Sequence, residues 1–192
     1  MKRQASVTRK TRETDIKLAL SLDGGSVEVA TGVGFFDHML TAFGVHSGFG
    51  LEVWAKGDLE VDCHHTVEDV GIVLGQAMAQ ALGDKSGIKR YGHAYIPMDE
   101  ALGSCVVDIS GRPFLVFQAA FPQEALGAYD ACMTEEFFRA FAMHSGLTLH
   151  LACPYGKNSH HMIEALFKAC AHALRDACAL GQEGVLSSKG ML

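Results

Sequence analysis

Between Ile16 and Leu22 apolar and polar residues alternate, the period-two pattern of a strand with one buried face. Asp23-Gly24-Gly25 supplies turn chemistry, and Val27 to Thr31 predicts a second strand. Phe36 to Val45 places apolar residues at helical spacing, and Leu51 to Ala55 predicts a further strand. A long helix follows from about His64 to Leu82, stopped by Gly83. The second half repeats the order: strand Ser104 to Ile109, turn Ser110-Gly111-Arg112-Pro113, strand Phe114 to Gln118, helix Thr134 to Met143, strand Leu147 to Leu151, and helix Asn158 to Leu180. Phe121 to Asp130 reads as a loop with no chemistry of its own. Strand–strand–helix–strand–helix, twice, predicts an α+β sandwich with helices on one sheet face.

The repetition extends to individual residues. Cys63-His64-His65-Thr66-Val67-Glu68 has a counterpart in Ser159-His160-His161-Met162-Ile163-Glu164, 96 positions later. Ala42-Phe43-Gly44-Val45-His46-Ser47-Gly48 matches Ala140-Phe141-Ala142-Met143-His144-Ser145-Gly146, 98 positions later. Two matches in the same order at nearly the same offset point to a duplicated unit. The chain is expected to be one catalytic domain, 1–192, made of repeats at about 1–90 and 91–192.

Composition narrows the class. Apolar residues form 48% of the chain and charged residues 20%, as in an ordinary globular protein. A net charge of -6 argues against general nucleic-acid binding. No apolar run approaches the roughly 20 residues of a membrane span. The basic start (Lys2, Arg3, Arg9, Lys10, Arg12) lacks the apolar core of a secretory signal. Six cysteines without a Cys-x-x-Cys pair read as small buried hydrophobes in a reducing compartment, with the cytoplasm as the default.

The doubled His-His-x-x-Glu carries the chemistry. Residues four apart stand on one helix face, so His64 with Glu68, and His160 with Glu164, can each grip one ion. His65 and His161 project about 100° away, which calls for a second ion. The upstream offset carries His38 onto Glu136, each at the start of its unit's shorter helix. Two sites are expected: His64, Glu68, His160 and Glu164 around one ion, and His38, His65, His161 and Glu136 around the other. Mixed nitrogen and oxygen donors without sulfur favour Mn²⁺, with Zn²⁺, Fe²⁺ or Co²⁺ as alternatives. His46 and His144 lie at helix ends, where a cationic residue suits the dipole. His93, His150 and His172 show no partner pattern. Arg90, Arg112, Lys168 and the Ser187-Ser188-Lys189 turn suit phosphate oxygens, although each alone reads as a solvated surface group.

These residues resemble one family, the imidazoleglycerol-phosphate dehydratases of histidine biosynthesis. The resemblance runs through Arg9-Lys10-Thr11-Arg12-Glu13-Thr14, Phe36-Asp37-His38-Met39-Leu40, His64-His65-Thr66-Val67-Glu68-Asp69 and Pro97-Met98-Asp99-Glu100-Ala101-Leu102. It continues through Ser110-Gly111-Arg112-Pro113, Ser145 to His150 and Asn158-Ser159-His160-His161 to Ser187-Ser188-Lys189-Gly190. It implies helices packed between two four-stranded sheets, like the second domain of ribosomal protein S5. It also implies two Mn²⁺ ions per subunit, and a shell of 24 subunits with active sites between them, so that ligands come from different chains.

The family's metal positions match His38, His64, His65, Glu68, His160, His161 and Glu164; at an eighth, where some members carry His, this chain has Glu136. Its phosphate contacts match Arg90, Arg112, Lys168, Ser187, Ser188 and Lys189, and other substrate contacts match His46 and Glu13. The catalytic set implied is Glu13, His38, His65, Glu68, His161 and Glu164, with Glu13 as proton carrier. The reaction implied is loss of water from imidazole glycerol phosphate, the substrate's imidazolate expelling a hydroxide to leave a diazafulvene with an acidified C–H, followed by conversion to imidazole acetol phosphate. Two other readings fit the motif alone: a two-metal phosphate-ester hydrolase and a non-catalytic metal-storage shell. Some bacterial members of the family are fused to a histidinol-phosphatase domain; this chain is expected to be monofunctional.

Overall fold

The structure is a computed structural model and describes residues 2–181 and 183–190. Its first half contains strands β1 (Gln4–Lys10), β2 (Thr14–Ser21), β3 (Val27–Ala30) and β4 (Gly50–Gly57), with helices α1 (Gly34–Ser47) and α2 (His64–Leu82). The second contains β5 (Tyr91–Met98), β6 (Ala101–Asp108), β7 (Phe114–Gln118) and β10 (Thr148–Ala152), with α3 (Met133–Ser145) and α4 (Ser159–Cys178). Between β7 and α3 lies a small hairpin, β8 (Ala125–Leu126) with β9 (Tyr129–Asp130).

The two large sheets have the same layout, β1-β2-β4-β3 and β5-β6-β10-β7. In each the outer short strand runs parallel to its neighbour while the other pairs are antiparallel. Helices α2 and α1 cover the first sheet, α4 and α3 the second, and α1 meets α4 as α2 meets α3. The helices therefore form a double layer between two sheets, the duplicated α+β architecture expected.

Strands β1 and β5 escape the hydrophobic pattern because both are edge strands whose side chains are mostly exposed or half-buried. In β1 the alternation of Ala5 and Val7 is masked by flanking basic residues, and β5 contains Pro97, which an edge tolerates. The second sheet sits close to its helix. Ala165, Ala169, Ala173 and Ala177 form a fully buried stripe along α4, and Gly103 and Gly92 lie under its backbone.

The two helix seams each run in parallel. Along α2 and α3, Gly71 lies against Phe137 and Gly75 against Phe141; a Cβ on either glycine would fall 2.8 Å from the opposing carbonyl oxygen. Along α1 and α4, His38 faces Glu164 and His46 faces His172. Parallel seams bring the starts of paired helices to the same end. The hairpin closes that end with Tyr129, fully buried between Phe35 and Phe36 and hydrogen-bonded to the Thr134 hydroxyl at 3.1 Å. Tyr129→Phe is expected to lower stability by roughly 1 kcal/mol in urea denaturation, the net value of one buried hydrogen bond.

Candidate metal centre

Asn158 caps α4 by accepting from the His160 N–H, which fixes the helix start. His160 and Glu164 then project one turn apart, with the His160 Nε2 3.2 Å from the Glu164 carboxylate. Across the seam, the first turn of α1 brings His38 Nε2 to 3.4 Å from the same carboxylate. Asp37 organises that turn by accepting from the Thr31 backbone and hydroxyl. Donor atoms of His38, His160 and Glu164 all lie within 4.8 Å of one another. The Glu164 side chain is only 7% exposed, whereas both imidazoles open to solvent. Burial pushes the Glu164 carboxyl up, but Lys168, 2.6 Å away, and His38 outweigh it and hold the group below its usual range. Two imidazoles and an ionised carboxylate, converging and half-open, fit a divalent ion.

The grouping drawn from sequence symmetry is corrected within one chain. His38 meets His160 and Glu164, not His65, His161 and Glu136, and His64 with Glu68 does not meet the α4 pair among the described residues. The reason is the seam: α1 lies on α4 and α2 on α3, so each short-helix residue faces the long helix of the opposite repeat. His64 Nε2 stands 3.6 Å from Glu68 at the other seam's start. Glu136, which the parallel run of α2 and α3 carries to that end, is engaged by Arg139 at 2.6 Å.

His65 and His161 point away from these clusters. The Nδ1 of His65 bonds Asp58 at 3.0 Å, and its Nε2 lies 3.9 Å from Glu13. The Nδ1 of His161 bonds Glu100 at 2.8 Å, and its Nε2 lies 3.7 Å from Asp99. These hydrogen bonds raise both imidazoles above their ordinary range. Glu100 also accepts from the Lys157 and Asn158 backbone, and with His161 this pulls its carboxyl down to about 2. Glu13 is held in place by its own hairpin, where Thr11 accepts from the Glu13 and Thr14 amides and Asp69 of α2 binds Arg9 and Thr14.

Farther along the α1/α4 seam, His46 Nδ1 and His172 Nε2 are 3.2 Å apart. Burial lowers both imidazoles; Lys168 adds to the effect at His46 and Arg175 at His172. His144 instead bonds the Ala140 carbonyl of its own helix. Arg90 spends its fork on Asp108 and on the Leu186 carbonyl, which brings the Ser187–Lys189 segment beside it. Asp108 also faces the exposed Arg112 at 3.5 Å. Arg90, Arg112 and the 187–189 turn are thus drawn together, while Lys168 stands with Glu164.

Sequence reading gave no role to Asp58, Glu100, Asp99 or His172. Asp99 and Glu100 lay inside a family motif, and Asp58 follows a strand end, but contact with the histidines is tertiary. All six cysteines are free, five of them buried and Cys132 exposed.

A duplicated β–α–α–β sandwich with imidazole–carboxylate clusters at its helix starts defines an α+β protein with a candidate metal centre. The imidazoleglycerol-phosphate dehydratase family model matches residues 31–174. An imidazoleglycerol-phosphate dehydratase of Acetivibrio thermocellus is 57% identical over 195 residues, covering all of both chains. One of Gluconobacter oxydans is 56% identical over 99% of this chain and 98% of its own. The crystal structure of the Staphylococcus aureus enzyme superposes with a TM-score of 0.85 at 43% identity, covering 93% of this chain and 99% of that one. The Pyrococcus furiosus enzyme in complex with (S)-C348 gives 0.85 at 36% identity, covering 97% and 100%. The chain belongs to the imidazoleglycerol-phosphate dehydratase family.

Proposed function

We propose that the chain dehydrates imidazole glycerol phosphate to imidazole acetol phosphate in histidine biosynthesis, as a cytoplasmic, single-domain enzyme of two repeats (about 1–90 and 91–192) with two Mn²⁺ ions per subunit. The observation that carries the reading is the His38–His160–Glu164 cluster, whose three residues all lie in the stretch that the family model matches. His64, Glu68 and Glu136 form the second half-site. His65 and His161 complete the two sites from neighbouring subunits, in a shell of 24; supporting this, each turns away from the clusters of its own chain. The bound ions would supply Lewis-acid polarisation and a template for the substrate's ring.

The chain's own groups do the rest. His38, His160 and Glu164 would hold one ion, and His64, Glu68 and Glu136 the other. Glu13, whose Oε1 lies near His65 Nε2, takes the proton from carbon and returns it as the enol becomes a ketone. His46 contacts the substrate beside Lys168. Arg90, Arg112, Lys168, Ser187, Ser188 and Lys189 orient the phosphate, Arg90 by fixing the 187–189 turn as well as by its charge. Free cysteines agree with reducing surroundings.

Product analysis tests the reaction. Turnover is expected to give imidazole acetol phosphate, to stop on chelation and to return with Mn²⁺; release of inorganic phosphate would support a hydrolase instead. For Glu136→Ala, metal titration is expected to show weaker binding at the His64/Glu68 half-site and near-normal binding at the His38 cluster. The opposite pattern would sink the seam-based assignment.

A further inference from the structure

His65 and His161 are equivalent in the repeat, each the second histidine of its motif. Each has Nδ1 occupied by a carboxylate, at 3.0 Å from Asp58 and 2.8 Å from Glu100. The two carboxylates are not equivalent. Asp58 follows β4, the third strand in its sheet's order, whereas Glu100 sits in the turn between β5 and β6. The corresponding turn of the first repeat carries Glu13, which stands off the other ring nitrogen. A contact inherited passively through duplication would use matching positions in both repeats. This one is built twice from different positions, so the repeat's symmetry alone does not account for it.

A carboxylate at Nδ1 has a definite chemical consequence. It accepts the Nδ1 proton, fixes the neutral ring as the Nδ1–H tautomer, and leaves the Nε2 lone pair free to bind a metal. It also locks the ring's rotation and makes Nε2 a better donor. We propose that Asp58 and Glu100 are positioning residues, each presenting one imidazole, His65 or His161, through Nε2 to an ion held chiefly by another subunit. The inference rests on the metal-ligand reading above. Its energetic logic is that a ligand arriving across a subunit boundary gains most from being oriented in advance.

The test uses full-length protein labelled with ¹⁵N-histidine and read by solid-state NMR, with signals assigned through His65→Gln and His161→Gln. In metal-free wild type both rings are expected as Nδ1–H tautomers, and Zn²⁺, a diamagnetic probe, should shift their Nε2 signals. Asp58→Ala should release the His65 tautomer, and Glu100→Ala that of His161. Each should weaken Mn²⁺ binding in calorimetry by about 10- to 100-fold. Asp58→Asn and Glu100→Gln keep an acceptor oxygen and should fall between, which preserves the comparison if an alanine variant fails to fold. Tautomers unchanged in the variants, or tautomers that change without loss of Mn²⁺ affinity, overturn the positioning role. Wild-type Nε2 signals that ignore Zn²⁺ overturn the ligand reading, and the positioning role with it.

Discussion

Glu164→Gln is expected to lower turnover about a thousandfold while the chain still folds and assembles. Glu164 is the one carboxylate in the His38–His160 cluster, and it is buried while His38 is exposed and His160 half-buried. The amide keeps the shape and an oxygen for Lys168, so packing around α4 survives. It removes the negative charge that would balance a bound ion. A Lewis-acid contribution of several kcal/mol, at about 1.4 kcal/mol per factor of ten, gives the magnitude. The measurements are kcat with added Mn²⁺ and the metal content of the purified variant. Glu135→Gln is the control, since Glu135 is a solvent-open residue paired with Arg139; it should retain near-normal rate. Turnover within tenfold of normal together with full metal content in Glu164→Gln would refute the cluster as a catalytic centre.

The largest structural effect is expected from Gly92→Ala. A methyl group there would collide with the Ala173 carbonyl of α4 and approach the Ala177 amide nitrogen at 3.0 Å. Both are backbone, so no side chain can rotate away. The strand or the helix must move, and moving α4 also disturbs the seam that aligns Glu164 with His38. Overpacking of this kind costs about 3 kcal/mol, which for a chain of this size lowers the melting temperature by about 6 to 12 °C. Gly34→Ala, at the start of α1 with open space around it, provides the comparison and should melt near the wild-type temperature. If the two variants melt together, α4 does not pack on β5 as tightly as described.

What the sequence revealed of this architecture depended on the range over which each signal acts. Buried inner strands and amphipathic helices announce themselves through periodicity, and α1 to α4 lie within two residues of their expected ends. Edge strands bury little, so β1 read as a basic tail and β5 was missed. The candidate ligand types were legible because His and Glu recur at helical spacing in both repeats. Their grouping was not, because it depends on which helix lies on which, and the repeat is compatible with either pairing. Asp58 and Glu100 escaped for the same reason: each meets its histidine only after a strand turn folds back on a helix start. The residues matched to phosphate contacts are scattered in the chain, and the Arg90 contact to the Leu186 carbonyl, made only on folding, brings Arg90 beside the 187–189 turn.

The way the two helix pairs cross between the repeats bears on how such a chain arose. Each repeat has one four-stranded sheet, covers it with its own two helices, and leaves the far sides of those helices to be covered by the other repeat. Neither repeat can close a core by itself. A half-length ancestor with this pattern would have been sealed only by a second copy, and the first imidazole–carboxylate cluster would have existed only in that pair. Joining such copies end to end would free the two seams to diverge. One became a tight glycine contact, at Gly71 and Gly75, and the other a line of ionisable groups from His38 to His172. Both seams keep an imidazole–carboxylate pair at their start, and they differ in what lies farther along.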